Sequence, residues 1–248
     1  MKISIITVCY NAADTIMDTL NSVRKQSDHH IEHIIIDGAS TDKTLDIIRE
    51  YPPARWISEP DEGIYDAMNK GIAMATGDVI GFLNADDIYA HKDVLAHVAA
   101  TFDKEEIKAC YADLVYVRDD LGTAVRYYRS HRFAPNRLAY GWMPAHPTLF
   151  LHRDVFAKYG GFKTNYKIAA DFELCARLFG KYGVVAKYVP EVWVKMRMGG
   201  VSTQGLKSNF ILSKEIVRAC RENGIKTNLF KVCLKYPRKI LELITRPS

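Results

Sequence analysis

Long hydrophobic runs are absent from this 248-residue sequence, and cysteine is sparse. No stretch approaches the roughly 20 consecutive apolar residues that a membrane-spanning helix needs. The five cysteines are scattered and form no C-x-x-C pair, which excludes an obvious cysteine zinc site or a disulfide framework. The chain starts with a strand-like run and shows no cleavable signal pattern, so we expect a cytoplasmic protein.

The glycine-rich signatures of the common nucleotide-binding enzymes are missing as well. No G-x-G-x-x-G follows the first strand-like run, which excludes a dinucleotide fingerprint, and no G-x-x-x-x-G-K-[ST] marks a P-loop. The segment 38–42 matches the nucleophile elbow G-x-S-x-G of hydrolases until its last position, where Asp42 stands in place of glycine.

What is present can build one large domain, or one domain with an appendage. Hydrophobic residues make up 48% of the chain and charged residues 25%, which is ordinary for a protein with a packed core. Short apolar runs alternate with helix-like segments over the first 85 residues, which predicts a parallel sheet built from right-handed crossovers. The predicted strands cover residues 3–8, 33–36, 55–58 and 79–83, and the predicted helices cover 14–26, a segment around 45–48, and 63–75. Ser40 or Thr41 is available to cap the second helix.

The pattern after residue 87 is less regular. We predict helices over 94–102, up to Tyr159 and from Asp171, and strands over 110–117, 124–128, 148–151, 184–189 and 192–196. From about residue 209 the chain is predicted to be helical to its end, with interruptions at 223–224 and 236–237.

The stretch Leu83-Asn84-Ala85-Asp86-Asp87 closes an apolar run and places two carboxylates where a predicted strand ends. Open α/β sheets bind ligands just outside the carboxyl ends of their strands. Two adjacent carboxylates repel each other unless a cation lies nearby, and oxygen-rich sites suit Mg²⁺ or Mn²⁺. The alternative is an acidic loop that caps the next helix.

Several blocks together resemble the family 2 glycosyltransferases, which are inverting nucleotide-sugar enzymes with the GT-A fold. The blocks that carry the resemblance are residues 4–11, 34–44, 58–71, 77–78, 83–87, 170–174 and 198–202. The resemblance covers roughly residues 1–205 and is closest to the bacterial subgroup that builds exopolysaccharide, O-antigen and colanic acid chains. It implies an α/β GT-A fold with a Rossmann-like, mostly parallel central sheet flanked by helices. The expected domain spans 1–205, with a nucleotide-sugar half over about 1–105, an acceptor half over about 106–205, and a basic helical C-terminal extension over 206–248.

The resemblance also implies a reaction. A sugar would move from a nucleoside-diphosphate donor to a hydroxyl of a saccharide acceptor, with inversion and with the help of Mn²⁺ or Mg²⁺. We favour UDP over GDP on family frequency alone. The acceptor would be lipid-linked, for example through a polyprenyl diphosphate, as in bacterial surface polysaccharide synthesis. This would place the protein in the cytoplasm, peripherally on the inner face of the plasma membrane.

The predicted nucleotide-sugar residues lie at the ends of the first four strands and at the start of the third helix. Asp37 would accept a hydrogen bond from a uracil or guanine N–H, although a turn carboxylate is the alternative. Tyr10 would stack on the nucleobase or belong to the core. The start of the helix after Asp61 and Gly63 would face the diphosphate, while Asp66 and Lys70 would reach sugar and phosphate or form a solvated face. The full predicted set is Thr7, Tyr10, Asn11, Asp37, Ser40, Asp61, Gly63, Asp66, Asn69, Lys70, Asn84, Ala85 and Asp86.

Asp86 and Asp87 are the predicted metal ligands, with Asp86 favoured for direct contact. The sequence departs here from the D-x-D pattern of similar enzymes, because Asn84 stands at the first carboxylate. Which of the two aspartates binds the metal directly therefore stays open. A divalent cation would stabilise the charge that grows on the leaving diphosphate.

Asp171 is the predicted catalytic base, since the matching acid in similar enzymes removes the acceptor proton. A helix cap is the alternative role for Asp171, and Glu173 is the competing base. Trp142 and His146 are the predicted acceptor contacts, although a histidine between two prolines also suits a structural role. Arg197 and Ser202 would touch the diphosphate from a closing loop.

Two further features keep other functions open. Residues 225–248 alternate apolar and basic side chains, which suits either a membrane surface or a packed helix. The basic, aromatic segment 126–132 would suit a nucleic-acid-binding module, but such a module leaves the clustered acids unexplained, so we expect no nucleic acid partner. A nucleotide-sugar-forming nucleotidyltransferase would need a glycine-rich basic loop after the first strand, and residues 10–13 supply neither glycine nor charge.

Overall fold

Nine strands form one sheet within the residues that the computed structural model describes, namely 1–27, 30–51, 55–104, 106–198 and 205–234. The strands are β1 Ile3–Cys9, β2 Ile31–Asp37, β3 Arg55–Ser58, β4 Val79–Phe82, β5 Asp87–Tyr89, β6 Ala109–Val117, β7 Ala124–Tyr128, β8 Phe150–His152 and β9 Ala186–Arg197. Their order is β3-β2-β1-β4-β8-β6-β9-β5, and β7 pairs with β6 outside this path. The predicted α/β class is confirmed.

Helices pack on this sheet and connect its strands. The helices are α1 Ile16–Arg24, α2 Thr44–Arg49, α3 Ile64–Met74, α4 Val94–Lys104, α5 Arg153–Tyr159, α6 Ala170–Cys175, α7 Gly205–Glu222 and α8 Leu229–Cys233. A π-helical segment, Ala176–Lys181, continues α6, and short 3-10 turns cover Pro135–Tyr140 and His146–Thr148. Among the described helices, none is both long and apolar enough to cross a membrane.

The first four strands run parallel, as the sequence predicts. Their apolar side chains bury both faces, which is typical of parallel strands covered by crossover helices. Cys9 lies opposite Asp37, and Asp37 lies opposite Ser58. Strands β1, β2 and β3 therefore end in one row, and the loops that follow them start from the same edge of the sheet.

The second half of the sheet is mixed, so the expectation of a mostly parallel sheet holds only for the first half. β4 pairs antiparallel with β8, and β6 pairs antiparallel with β7 and β8 but parallel with β9. The β4–β8 pairing joins the two predicted halves of the domain into one sheet. Their side chains share a core that reaches from Ile6 in β1 to Leu178 in the π-helical segment.

Several predicted boundaries are wrong for identifiable reasons. The N-cap of α2 is Lys43 rather than Ser40 or Thr41, and the helix begins at Thr44. The Thr44 N–H bonds the Asp42 carboxylate at 2.9 Å. The two strands predicted around Pro190 are one strand, β9, whose pairing with β6 shifts in register near this proline. The strand predicted from Thr148 begins two residues later, and β5 was not predicted because three residues carry too little periodicity.

Helix α7 belongs to the folded core, although the predicted boundary at residue 205 places it in an appended extension. Ile216, Val217 and Cys220 are buried in the main core cluster. The part of the predicted extension beyond Leu234 lies outside the described residues.

Candidate active site

The loops after β1 and β2 are cross-linked at the carboxyl edge of the sheet. The Asn11 N–H donates to the Ser40 hydroxyl at 2.8 Å, and the Thr41 N–H donates to the Asn11 side-chain oxygen at 2.8 Å. These bonds bring the predicted residues Asn11 and Ser40 together above Asp37, at the edge where open α/β sheets bind ligands.

The carboxylate of Asp37 organises this cluster from inside. Its Oδ2 accepts from the Ser40 N–H at 2.9 Å and from the Ser58 hydroxyl at 2.7 Å, while its Oδ1 accepts from the Ser40 hydroxyl at 2.5 Å. Asp37 has no exposed surface. In this arrangement it shapes the loop, and the nucleobase contact at Asp37 stays a prediction that requires the Ser40 hydroxyl to turn away.

Two non-glycine residues in these loops have left-handed backbone. Asn11 has a φ of 49° and Ala39 has a φ of 62°. Asparagine tolerates this region through local hydrogen bonds, whereas alanine carries a steric cost of about 1–2 kcal/mol. Strained backbone of this kind concentrates at functional sites, which agrees with the position of both residues beside Asp37.

Replacing Ala39 with glycine is expected to raise the free energy of unfolding by up to about 1 kcal/mol. Glycine reaches positive φ without a Cβ clash, although its greater freedom in the unfolded chain removes part of the gain. Urea unfolding measures the change. The control is Ala100→Gly in the interior of α4, which should lose about 1 kcal/mol. Equal losses in both variants would contradict strain at Ala39.

The Tyr10 ring and the Asp61 carboxylate lie on either side of Gly38. A Cβ at position 38 would lie 2.5 Å from Asp61 Oδ2 and 3.5 Å from Tyr10 Cδ2, so a larger residue would displace the Asp61 carboxylate. Tyr10 is 63% exposed, which rules out a core role. An exposed ring at the sheet edge leaves a face available for stacking on a base.

Helix α3 directs its N-terminus toward the same edge. Gly63 is its N-cap with a φ of 113°, a conformation that favours glycine, and the Gly63 N–H bonds Asp61 Oδ1 at 2.8 Å. No side chain caps this helix start. Its first-turn N–H groups therefore suit an anion such as a diphosphate.

The polar residues of α3 have structural partners. The Lys70 ammonium reaches the Pro60 carbonyl at 2.8 Å, the Glu59 carboxylate at 2.9 Å and Asp66 at 3.4 Å, so Asp66 and Lys70 hold the loop that carries Asp61. The Asn69 amide has structural partners as well, and its contact with the nucleotide sugar stays a prediction.

The Asn69 amide forms two hydrogen bonds with the backbone of Phe162, both 2.8 Å long. Both polar groups of the side chain are therefore used to fix α3 to the loop before α6, and Asn69 is a structural residue.

Asp86 and Asp87 differ sharply in exposure. Asp86 is half-buried, whereas Asp87 opens β5 with no exposed surface. Asp87 Oδ2 accepts from the Asn84 amide at 3.3 Å, and its Oδ1 is buried without a hydrogen-bond partner in the described part of the chain. Ala85, which lies between Asn84 and Asp86 in the sequence, is also buried.

The electrostatics of this pair fit a cation. Burial raises the pKa of Asp86, and burial together with the charge of Asp86 raises the pKa of Asp87 well above its usual value. A divalent cation would oppose both effects, and carboxylate oxygens are the ligands that hard cations prefer. Asp87 is fully enclosed and Asp86 is half-buried, which supports the preference for Asp86 as the direct ligand, and the metal contact stays a prediction.

Arg197 at the end of β9 supports this loop. Its guanidinium donates to the Asp86 carbonyl at 3.2 Å and to the Asp18 carboxylate of α1 at 2.5 Å, and only 9% of its surface is exposed. From this position it holds the Asp86 loop against α1, and the phosphate contact stays a prediction. Ser202, the other residue of the predicted closing loop, lies outside the described residues.

Tyr116 and Arg126 connect the acidic pair to Asp171, and neither was assigned to the site from sequence. Strand pairing aligns Asp87 with Met196, Met196 with Tyr116, and Tyr116 with Arg126 in one row across the sheet. The Arg126 guanidinium lies 4.5 Å from the centre of the Tyr116 ring. Burial raises the pKa of Tyr116, the Arg126 guanidinium opposes this, and the charges of Asp87 and Asp171 add smaller upward effects. The two acids therefore act on the same phenol.

Asp171 lies in the first turn of α6 and is half-buried. The N-cap of this helix is Ala169, so the alternative of Asp171 as the N-cap is wrong. The Asp171 carboxylate accepts from the N–H of Phe172 at 2.7 Å.

The loop before Asp171 is fixed from two sides. The Glu215 carboxylate of α7 accepts the N–H groups of Lys167, Ile168 and Ala169 at 2.7–3.0 Å. The Tyr65 hydroxyl of α3 donates to the Ile168 carbonyl at 2.5 Å. Helix α3 thus contacts both the loop of Asp61 and the loop of Asp171, which brings the predicted nucleotide and catalytic residues to one region.

Glu173 is excluded as the competing base. It has no exposed surface and pairs with Arg177 at 2.9 Å, with Lys163 at 3.0 Å and with the Asn223 amide at 3.2 Å. Arg177 also donates to the carbonyls of residues 159–161. This ion pair therefore fastens α6 to its surroundings and cannot accept a proton from a bound substrate.

Two further predicted contacts, Thr7 and His146, have buried side chains. Thr7 has no exposed surface, and its hydroxyl lies 2.9 Å from the His33 ring nitrogen. His146 packs against Phe82, with ring centres 5.5 Å apart, and against Phe162 at 5.6 Å. This packing favours the structural alternative for His146, and the donor contact of Thr7 stays a prediction.

Replacing His146 with phenylalanine is expected to reduce acid sensitivity. Burial lowers the pKa of His146 from 6.5 to about 4. The unfolded chain therefore binds this proton more tightly, so the stability contribution is complete above pH 6.5 and is lost as the pH falls toward 4. At 1.36 kcal/mol per pKa unit the loss approaches about 3 kcal/mol.

Urea unfolding of the wild type and of His146→Phe between pH 7 and pH 4 measures this contribution. As the pH falls, the free energy of unfolding should decrease less in the variant than in the wild type. The effects of the other titrating groups are common to both proteins and cancel in the difference. A difference that stays constant with pH would contradict the burial of a neutral His146.

Trp142 lies apart from the buried His146, in a groove of about 380 Å³ on the surface. The groove is lined by Asn136, Arg137, Tyr140, Trp142 and Leu234. The neighbouring α8 exposes Phe230 at 74% of its surface. The combination of aromatic, amide and guanidinium groups suits a sugar, and Trp142 stays the predicted acceptor contact.

Comparison with known proteins identifies a matching family, a curated relative and several solved structures. The model of the family described as glycosyl transferase family 2 matches residues 4–160. A "PGL/p-HBAD biosynthesis glycosyltransferase" of Mycobacterium bovis is 32% identical over 220 residues, which cover 87% of this chain and 82% of that protein.

Solved structures show the same fold at low sequence identity. S. aureus TarS 1-349 in complex with UDP-GlcNAc has a TM-score of 0.70 and 19% identity, covering 91% of this chain and 68% of that one. This chain spans 41% of a longer TarS structure. The mannosyltransferase PcManGT from Pyrobaculum calidifontis, in complex with GDP-Man and Mn²⁺, has a TM-score of 0.64 and 20% identity, covering 89% and 63%.

Proposed function

This chain belongs to glycosyl transferase family 2 and is a glycosyltransferase, and we propose that it moves a sugar from a nucleoside-diphosphate sugar to a saccharide hydroxyl. The observation that carries this proposal is the row Asp87–Met196–Tyr116–Arg126, in which Tyr116 feels the charges of both Asp87 and Asp171. This row links Asp87, one of the acids suited to a cation, with Asp171, the acid suited to proton transfer.

The nucleotide sugar would lie across the ends of β1, β2 and β4. Tyr10 offers a ring to the base, and the start of α3 offers backbone N–H groups to the diphosphate. Asp61, fixed by the Gly63 N–H, lies between them. We favour a UDP-sugar, because the similar TarS was solved with UDP-GlcNAc.

Asp86 would hold the divalent cation, with Asn84 and Asp87 behind it. The similar PcManGT was solved with Mn²⁺, and either Mn²⁺ or Mg²⁺ suits oxygen ligands. When bound, such an ion supplies positive charge to the leaving diphosphate. Arg197 fixes the loop through the Asp86 carbonyl, which keeps the carboxylate in place.

Asp171 would accept the proton of the acceptor hydroxyl as that oxygen attacks the anomeric carbon. The bond from the sugar to the diphosphate breaks as the new glycosidic bond forms on the opposite face, which inverts the anomeric centre. Glu215 and Tyr65 fix the loop of Asp171 and thus its distance to the acceptor. Arg126, stacked on Tyr116, would place a positive charge beside this reaction.

The acceptor would be a lipid-linked saccharide of a bacterial surface polysaccharide. The groove at Trp142 and Arg137 offers sugar contacts, and the exposed Phe230 and Lys231 of α8 suit an anionic membrane surface beside it. Sedimentation with anionic vesicles tests the membrane contact. Phe230→Ser should reduce the bound fraction, whereas Phe102→Ser, at a half-buried site on α4, serves as the control.

Thermal unfolding with a panel of UDP-, GDP- and dTDP-sugars tests the nucleotide assignment. At a ligand concentration of about 100 Kd the protein gains about 2.7 kcal/mol, which corresponds to a Tm increase of roughly 5–10 °C for a chain of this size. We expect the increase with a UDP-sugar in the presence of Mn²⁺ and a smaller one with EDTA. An increase only with a GDP-sugar would overturn the choice of UDP, and no increase with any member would contradict a nucleotide-sugar site.

A further inference from the structure

A second cluster of metal-ligating side chains lies outside the candidate active site. His91 follows β5, His97 lies in α4, and Glu191 lies in β9. One ligand atom of each residue lies within 4.8 Å of the others. Two neighbouring segments of the chain and one distant strand therefore bring two imidazoles and a carboxylate to one point.

We propose that His91, His97 and Glu191 bind a divalent ion of the zinc class. Two imidazoles and one carboxylate form a donor set that suits zinc and its neighbours, whereas Mg²⁺ and Mn²⁺ prefer oxygen ligands. This distinguishes the cluster from the all-oxygen acids at Asp86. The site leaves a coordination position for water, because all three side chains are at least partly exposed.

The observed geometry is close to that of a bound ion. His97 Nδ1 lies 2.7 Å from Glu191 Oε2, which is a hydrogen bond. In a tetrahedral site with ligand bonds of about 2.0–2.2 Å, two ligand atoms lie about 3.4 Å apart. For a zinc ion to replace the shared proton, these two atoms therefore need to move apart by less than about 1 Å. The ligand atoms of all three residues lie within 4.8 Å of one another, so the remaining pairs must approach by up to about 1.4 Å to reach the separation of a tetrahedral site.

Neighbouring groups already orient the ligands. The indole N–H of Trp193, which is fully buried, donates to Glu191 Oε2 at 3.1 Å. The His91 carbonyl accepts from the Gln26 amide at 2.9 Å, which fixes the loop after β5. Partners of this kind hold the ligands of metal sites in position and increase their affinity.

The site lies at the opposite end of the β5–β9 pairing from the candidate active site. Asp87 pairs with Met196 at one end, while the Ala90 N–H bonds the Trp193 carbonyl at the other. A bound ion would tie α4 and the loop after β5 to β9. It would thus stabilise the short strand on which Asp87 lies, without contact with the substrates.

Metal titration of the full chain tests this site without reference to activity. The protein is stripped with EDTA, dialysed, and titrated with Zn²⁺ by calorimetry, and with Co²⁺ by visible absorption, which reports tetrahedral coordination by nitrogen and oxygen. The variants are His97→Ala and His91→Ala. His131→Ala, an exposed histidine elsewhere, is the matched control, and Asp86→Asn removes the acidic ligand of the candidate active site.

We expect Zn²⁺ affinity to fall by at least about a hundredfold in both cluster variants, because loss of even an outer partner costs 10–100-fold. The Co²⁺ absorption should disappear with it. Both signals should persist in His131→Ala and Asp86→Asn. Unchanged Zn²⁺ binding in the cluster variants would overturn the proposal, as would the absence of tight binding in the wild type. Loss of binding only in Asp86→Asn would assign the ion to the acidic pair instead.

Discussion

Asp171→Asn is expected to reduce the rate of sugar transfer by about 10²–10⁴-fold, the usual contribution of a general base. The affinity for the nucleotide sugar should not change, because Asp171 lies beyond the residues proposed to bind it. Asparagine keeps the size of the side chain but cannot accept a proton from the acceptor hydroxyl. Transfer kinetics with the identified nucleotide sugar, together with calorimetric binding of UDP, separate the two effects.

The matched control for this prediction is Asp103→Asn, an exposed carboxylate in the last turn of α4. It removes the same charge from the chain without altering the candidate site, so its transfer rate should equal that of the wild type. Near-normal transfer by Asp171→Asn would assign the base elsewhere. A parallel loss of UDP binding would instead indicate that Asp171 supports the nucleotide sugar.

Arg177→Met is expected to lower the free energy of unfolding by about 3–5 kcal/mol, because it leaves the buried charge of Glu173 without its main partner. The substitution also removes the hydrogen bonds from Arg177 to the carbonyls of residues 159–161. Lys163 and Asn223 would still contact Glu173. These remaining contacts keep the loss of stability from exceeding this range. Urea unfolding measures the change.

Arg49→Met provides the comparison on the protein surface. Arg49 pairs with Asp46 at 3.3 Å, but both side chains are more than half exposed. Exposed pairs contribute at most about 1 kcal/mol, so the stability of this variant should stay close to that of the wild type. Similar losses in Arg177→Met and Arg49→Met would show that the buried pair does not fasten α6.

The parallel half of the fold could be predicted because each strand carries its own signal. The apolar runs of β1 to β4 alternate with amphipathic helices, and this local pattern predicts that the strands run parallel. The second half follows from pairings between distant segments. Pro190 illustrates the difference, since it splits β9 in sequence but is accommodated where the pairing with β6 shifts.

The candidate site was predicted by residue type and position, which cannot show the partners that burial or a neighbouring segment gives to a side chain. Asn69 shares a helix face with Asp66, but the backbone of Phe162 occupies that face and uses the amide. Thr7 and His146 carry suitable groups, yet the sheet and the aromatic core enclose them. Periodicity shows which residues share a face, but not what packs against it.

Tyr116 and Arg126 could not be assigned from sequence for the complementary reason. The basic, aromatic segment 126–132 was recognised, but its place depends on the register among β5, β9, β6 and β7. Only that register aligns Arg126 with Tyr116 and directs the row toward Asp87.

A crystal structure with UDP and Mn²⁺, with the ion located by anomalous scattering, tests the shared site most directly. We predict one Mn²⁺ coordinated by Asp86, the diphosphate at the start of α3, and the Asp171 carboxylate facing the same cleft. An ion and nucleotide bound away from Asp86, or a cleft that Asp171 does not face, would contradict the account.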